Sequence, residues 1–243
     1  MAREITVPGW EQYRMDWRGD PHPVMEEPDT EIRVVEAVLR ELREDDLLPE
    51  GDYDRRLFDA HRQAVRERFE IPWTGISPRM QRLLYAVNAI REPAVMVAAG
   101  VFCGNTFISN AGAAIGPGAC YSAKRLVGLE IRPREADRAR RNISTVDPEG
   151  EAEILGADAV DWIRGFDGTI DLLYIDADGS YLRIIEEAAR RSLVSGSVIL
   201  AHNSVNLAGE LREYLAFVRD PAHSVGSVNI CIDDQGLEYT LWK

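Results

Sequence analysis

The apolar positions change period near residue 93. Ahead of it they recur every three or four residues. Ile32, Val35, Val38, Leu39 and Leu42 predict a helix over 31–43 capped by Asp29 or Thr30. Leu57, Phe58, Ala64, Val65 and Phe69 predict a second over 53–69, after a loop holding Pro49 and Gly51 and before Pro72. Ser77 as cap and Pro78 at the first helical position start a third, which Met80, Leu83, Leu84 and Val87 carry to Ile90. Before these helices, Trp10, Tyr13 and Trp17 stand near Pro21, Pro23 and Pro28, a composition that suits an ordered but irregular arm. Residues 1–90 therefore read as a helical cap or lid without strands, and 91–243 as a second unit.

In that second unit short apolar runs alternate with amphipathic segments. Strands are expected at 95–98, 126–130, 153–155, 171–175 and 198–201, and helices at 106–114, 133–143, 159–164, 181–193 and 208–218. Two further alternations, 224–232 and 237–242, flank Asp233-Asp234-Gln235-Gly236, a hairpin signal. Such a chain folds as an α/β domain with a mainly parallel, doubly wound sheet and an antiparallel edge.

Composition narrows the partners. A net charge of −13 argues against nucleic acid or an anionic membrane as the main partner. The three cysteines, Cys103, Cys120 and Cys231, fit no zinc spacing and suit a reducing cytoplasm. No run approaches the ~20 apolar residues of a membrane span. A cytoplasmic protein acting on a small molecule is expected, with the front helices as a possible homodimer surface.

Ligands of doubly wound sheets sit at the carboxyl ends of the strands. The first strand runs into Gly100, Phe102, Gly104, Asn105 and Thr106, a turn with two glycines that opens a helix. The second ends at Glu130-Ile131, about thirty residues after Gly100, where a carboxylate can accept both hydroxyls of a ribose. The third is followed by Gly156-Ala157-Asp158, in which Asp158 either reaches an adenine amino group or caps the next helix. Asp176, Asp178 and Gly179 follow the fourth, and His202, Asn203 and Ser204 the fifth. Together these ends describe a nucleoside site. The first turn is not Gly-x-Gly-x-x-Gly and no Gly-Lys-Ser/Thr is present, so NAD and P-loop chemistry are set aside.

The ensemble Gly100-Val-Phe-Cys-Gly104-Asn-Thr106, Gly128-Leu-Glu130, Gly156-Ala-Asp158, Tyr174-Ile-Asp176-Ala-Asp178 and Ala201-His-Asn203 resembles the class I S-adenosylmethionine-dependent methyltransferases. Within them it is similar to small-molecule O-methyltransferases of the catechol and caffeoyl-coenzyme A type. The resemblance spans residues 76–243. It implies a Rossmann-like, seven-stranded sheet with the last strand inserted antiparallel, and S-adenosylmethionine as cofactor. The glycine turn would hold the methionine part, Glu130 the ribose and Asp158 the adenine. Three positions depart from the family. Ala98 stands where an acid is usual two residues before the first glycine, His202-Asn203 replaces an Asp-Asn pair, and Gly179 replaces the lysine that serves as base. Asp176, His202 and Asn203 could still bind a divalent ion, but His202 fits Mg²⁺ poorly because that ion prefers oxygen ligands. No metal site is therefore assigned.

These residues lead to methyl transfer to O, N or C of a small molecule, with Asp176 or His202 as base and Asn203, Ser204 and Tyr13 as further catalytic candidates. Two alternatives stay open. Without an acid at Ala98 a neutral cofactor amine is less costly, which would allow cyclisation to azetidine-2-carboxylate and methylthioadenosine, or aminocarboxypropyl transfer. A domain that has lost its base and metal ligands would instead be a non-catalytic binding module.

Overall fold

The computed structural model describes residues 3–14 and 26–243. Trp17, Pro21 and Pro23 lie outside the described residues. One mixed sheet organises the fold, with strands β1 (Arg3–Thr6), β2 (Val95–Ala99), β3 (Arg125–Leu129), β4 (Ala152–Leu155), β5 (Ile170–Ile175), β6 (Leu193–His202), β7 (Ser224–Cys231) and β8 (Leu237–Trp242). Their spatial order is β1-β7-β8-β6-β5-β2-β3-β4. Strands β2 to β6 pair in parallel, and β8 is inserted antiparallel between β6 and β7. The seven strands read from the sequence are all present. An eighth, β1, comes from the front arm, where no strand was expected, and pairs parallel to β7. Its four residues bury only Ile5, too short an alternation to stand out in a sequence, yet they supply backbone partners to an otherwise open edge.

Side-chain alternation along each strand divides the core in two. Met96, Ala98, Leu172, Tyr174, Val198 and Leu200 face one side, where they join α1 (Pro28–Glu44), α2 (Arg55–Arg68), α3 (Pro78–Arg91), α4 (Asn105–Ala111) and α5 (Pro133–Ser144). Val97, Ala99, Leu173, Ile175, Ile199 and Ala201 face the other, against α6 (Ala159–Gly165), α7 (Tyr181–Arg191) and α8 (Arg212–Val218). The boundary expected at residue 90 thus falls inside one continuous apolar core. Val35, Val38, Leu42, Phe58, Leu83 and Val87 pack with the sheet rather than closing a core of their own.

Helix α3 starts as its sequence dictates, with the Ser77 hydroxyl accepting from the Met80 N–H and Pro78 at the first turn. Helix α1 begins earlier than expected, at Pro28 after Glu27, so neither Asp29 nor Thr30 is its cap. Between α1, α2 and α3 a buried Glu31 receives Arg62 at 2.8 Å and Arg82 at 2.5 Å. That pairing explains how three charged residues enter the helical layer.

Candidate active site

Strand order reverses beside β2, which pairs with β3 on one side and β5 on the other. The crevice above that point is a cleft of about 640 Å³. Its floor is the turn after β2. Gly100 has φ +84°, and a Cβ there would lie 2.0 Å from the Asp176 carbonyl oxygen, so only glycine lets the β2 and β5 ends lie this close. The Asp176 N–H donates to Ala99 O at 2.8 Å, and the Gly100 N–H to Leu129 O at 2.9 Å, tying three strand ends together. Phe102 holds φ +48°, an uncommon conformation for an aromatic residue, with its N–H donating to Glu130 Oε2 at 2.8 Å.

Glu130 is buried, and its Oε1 accepts from the Arg132 backbone and side chain, both at 3.0 Å. These bonds fix a carboxylate at the β3 end of the cleft. Arg132 and Phe102 lie one over the other, the guanidinium carbon 5.4 Å from the ring centroid, and Trp73 stands 4.5 Å beyond Phe102. Asp158 caps α6, its Oδ1 accepting from the Asp161 N–H at 3.0 Å, and the residue also lines the cleft. Ala157 and Ile131 line the same end.

At the opposite end stand Asp176, His202 and Asn203. Asp176 Oδ1 accepts from the Tyr181 hydroxyl at 3.4 Å, and its Oδ2 lies 3.4 Å from His202 Nδ1. His202 is buried, and its Nε2 has no hydrogen-bond partner among the described residues. Burial disfavours the imidazolium. Asp176, with Asp233 and Asp234 further off, outweighs that cost and holds the group above the ordinary imidazole value. Asn203, at φ +63°, donates to Asn206 Oδ1 and to Gln235 Oε1.

The cleft gathers Gly100, Phe102, Asn105, Thr106, Glu130, Ile131, Ala157, Asp158, Asp176, His202 and Asn203, each singled out in the sequence. Three candidates lie elsewhere. Gly104 caps α4 at φ +90°, 3.3 Å from the Ala139 Cα as measured from a built Cβ, so its role is to let α4 and α5 approach. The buried Ser204 hydroxyl turns to Asn229 Oδ1 at 2.7 Å. Tyr13 is buried under the Arg79 guanidinium, 3.8 Å from its ring centroid, and does not line the cleft. Burial and the nearby Glu26 and Glu31 raise its phenol well above the ordinary value.

Trp73, an aromatic residue of the front piece that suits either its core or a lid, lines the cleft; Thr74, Gly75 and Ile76 from the same aperiodic link between α2 and α3, and Gln235 from the β7–β8 turn, line it without a site signal in the sequence. Thr74 Oγ1 accepts from Asn105 Nδ2 at 3.1 Å, while Asn105 Oδ1 is buried without a partner among the described residues. Ala98, the position of the missing acid, is fully buried in the apolar core and does not line the cleft. No three His, Cys, Asp or Glu side chains converge as a metal set among the described residues, and no helix among them is long and apolar enough to cross a membrane.

A family model described as a methyltransferase domain matches residues 97–204, the stretch from β2 to the end of β6 that builds the cleft. The fold is that of the class I S-adenosylmethionine-dependent methyltransferases. Solved methyltransferases share it along most of their length. An O-methyltransferase from Bacillus cereus in complex with S-adenosylhomocysteine superposes with a TM-score of 0.57 at 21% identity, over 86% of this chain and 100% of that one. The O-methyltransferase TomG of Streptomyces achromogenes, involved in tomaymycin synthesis and bound to S-adenosylmethionine, gives 0.60 at 19% identity, over 81% and 92%. A methyltransferase of Podospora anserina bound to S-adenosylhomocysteine gives 0.60 at 17% identity, over 93% and 99%. No curated protein matches the chain in sequence. The sheet topology brings these strand ends to one crevice.

Proposed function

We propose that this chain is an S-adenosylmethionine-dependent methyltransferase acting on a small molecule. The observation that carries the reading is the division of one cleft: Glu130 and Asp158 at the β3–β4 end, and Asp176 with His202 at the β5–β6 end. The first pair suits a nucleoside, with Glu130 toward the ribose hydroxyls and Asp158 toward the adenine amino group. Thr106, Asn105 and the glycine turn lie between the two ends. The buried, unpaired Asn105 Oδ1 is an acceptor for an ammonium group, and the acidic lining suits a cationic ligand. When bound, S-adenosylmethionine supplies an electrophilic methyl group on a sulfonium. The chain's own contribution is alignment, exclusion of water and removal of a proton. Trp73 and Phe102 would cover the cleft as a lid, and His202 or Asp176 would take the proton.

Two of the three solved structures named above are O-methyltransferases, and a hydroxyl acceptor is in keeping with them. The cyclisation reading rested on Ala98, and a residue buried outside the cleft gives it no support. The net charge of −13 favours a small-molecule acceptor over nucleic acid, and composition favours the cytoplasm. Isothermal titration with S-adenosylmethionine and S-adenosylhomocysteine tests the cofactor. Transfer of labelled methyl into a deproteinised cell extract tests the reaction. Absence of binding ends the proposal, and methylthioadenosine released from cofactor alone would replace it.

A further inference from the structure

Tyr181 entered the sequence reading only as the first residue of a helix. Its side chain is buried, and its hydroxyl sits between two groups: Asp176 Oδ1 at 3.4 Å and the His202 carbonyl oxygen at 3.2 Å. The other Asp176 oxygen faces His202 Nδ1 at 3.4 Å. One residue of α7 therefore spans the ends of β5 and β6 and touches both partners of the acid–imidazole pair. Burial, with Asp176 nearby, raises the Tyr181 phenol well above its ordinary value, so it stays a neutral donor.

We infer that Tyr181 and Asp176 are positioning residues for His202, which acts through Nε2 as the base toward a hydroxyl acceptor. This rests on the methyl-transfer reading above and assigns the base that it left open. The argument is one of valence. The Tyr181 hydroxyl shares its one proton between Asp176 Oδ1 and the His202 carbonyl oxygen, and Asp176 Oδ2 faces His202 Nδ1, so both oxygens of the carboxylate are held in place behind the imidazole. The carboxylate's contact with Nδ1 selects the tautomer with the proton on Nδ1, as a carboxylate behind an imidazole does in hydrolytic triads. That leaves the lone pair on Nε2, the ring nitrogen without a partner among the described residues. A buried, unpaired nitrogen is costly and is satisfied when an acceptor O–H donates to it. In the reaction the acceptor oxygen bonds to the methyl carbon as the carbon–sulfur bond breaks. The bond pair stays on sulfur, giving a neutral thioether, and the acceptor proton moves to Nε2. The imidazolium formed is held by Asp176 and later releases its proton to water.

The test is a double-mutant cycle with a spectroscopic arm. The assay is transfer of labelled methyl from saturating S-adenosylmethionine into a deproteinised small-molecule extract. His202→Ala should lower the rate about 10²- to 10³-fold. Tyr181→Phe should lower it about tenfold, with the dissociation constant for S-adenosylhomocysteine unchanged. In the His202→Ala background, Tyr181→Phe should have no further effect on the rate. Multiplicative losses, or a loss confined to cofactor affinity, would overturn the positioning role. Nitrogen-15 NMR of the native chain without cofactor gives a readout that needs no variant: above the titration of His202, Nδ1 should carry the proton and Nε2 the lone pair. The opposite tautomer sinks the proposal even if Tyr181→Phe does not fold. Failure of the native chain to transfer methyl while it binds cofactor would remove the reading on which this base depends.

Discussion

Replacing Gly100 by alanine should be among the most damaging single-methyl changes in the molecule. The added Cβ would sit 2.0 Å from the Asp176 carbonyl oxygen and 2.7 Å from its carbon, where ordinary carbon–oxygen contacts are about 3.3 Å or longer. Both atoms are backbone, so no side chain can swing aside. The β2 and β5 ends must part by about 1 Å, which breaks the Asp176 N–H to Ala99 O bond, now 2.8 Å. Left-handed alanine at φ +84° adds its own strain. Backbone strain, displacement and the lost hydrogen bond together cost roughly 3–6 kcal/mol. For a chain of this size that lowers the melting temperature by about 10 °C or more. Calorimetry of Gly100→Ala beside Gly179→Ala isolates the steric part. Gly179 also has positive φ, +65°, but nothing lies within 4 Å of its Cβ position, so only about 1 kcal/mol is expected there. Titration with S-adenosylhomocysteine should show binding lost in Gly100→Ala. Equal stability of the two variants, with cofactor affinity retained, would refute the claim that the strand ends meet over a bare glycine.

Glu130→Gln keeps the shape of a side chain that accepts from Phe102 and Arg132 but removes its charge; S-adenosylhomocysteine should bind about 10- to 100-fold more weakly by titration calorimetry, and an unchanged affinity would displace the ribose assignment. Burial, helped by Arg62, lowers the His61 imidazole to about 3, whereas the unfolded chain protonates near 6.5. The unfolded state then binds more protons between these values, so this contribution is complete above about pH 6.5 and is lost as pH falls toward 3, at about 1.4 kcal/mol per pH unit. Urea midpoints at pH 6.5 and 4.5 should converge for His61→Leu relative to the native chain, and parallel curves would contradict the buried neutral state. Arg219→Ala strands the fully buried Glu238, which Arg219 contacts at 2.6 and 2.7 Å; it should cost about 3 kcal/mol in denaturant titration, with partial recovery on adding Glu238→Gln.

The order of elements was legible because each period reports one burial pattern. Ser77-Pro78 marks a helix start by local chemistry alone, and the strand runs 95–99 and 172–175 are apolar because both faces of a parallel sheet are covered. The acids at strand ends were legible for the same reason: Glu130 and Asp176 follow an apolar run directly and Asp158 follows one after Gly156-Ala157, and the topology carries all such ends to one rim. By itself the sequence determined the element types from α1 onward, the position of the cleft along the chain and the acidic character of its lining.

Tertiary structure decided what sequence distance hides. The resemblance implies an acid at the position of Ala98, two residues before Gly100, but alternation turns that side chain into the core. Tyr13 was placed at the site by its aromatic character, and packing puts it under Arg79 instead. Thr74, Gln235 and Tyr181 reach the cleft or its anchoring groups from three separate connections and helices, and no periodicity marks a residue whose partner lies across the sheet. The change of pattern at residue 93 predicts a helical cap over 1–90; it marks a change of secondary structure, and the apolar residues of α1–α3 join those of the sheet in one cluster. Which apolar stripe meets which sheet face is settled only when the chain closes, by the shared need of α1–α3 and the strands to leave water.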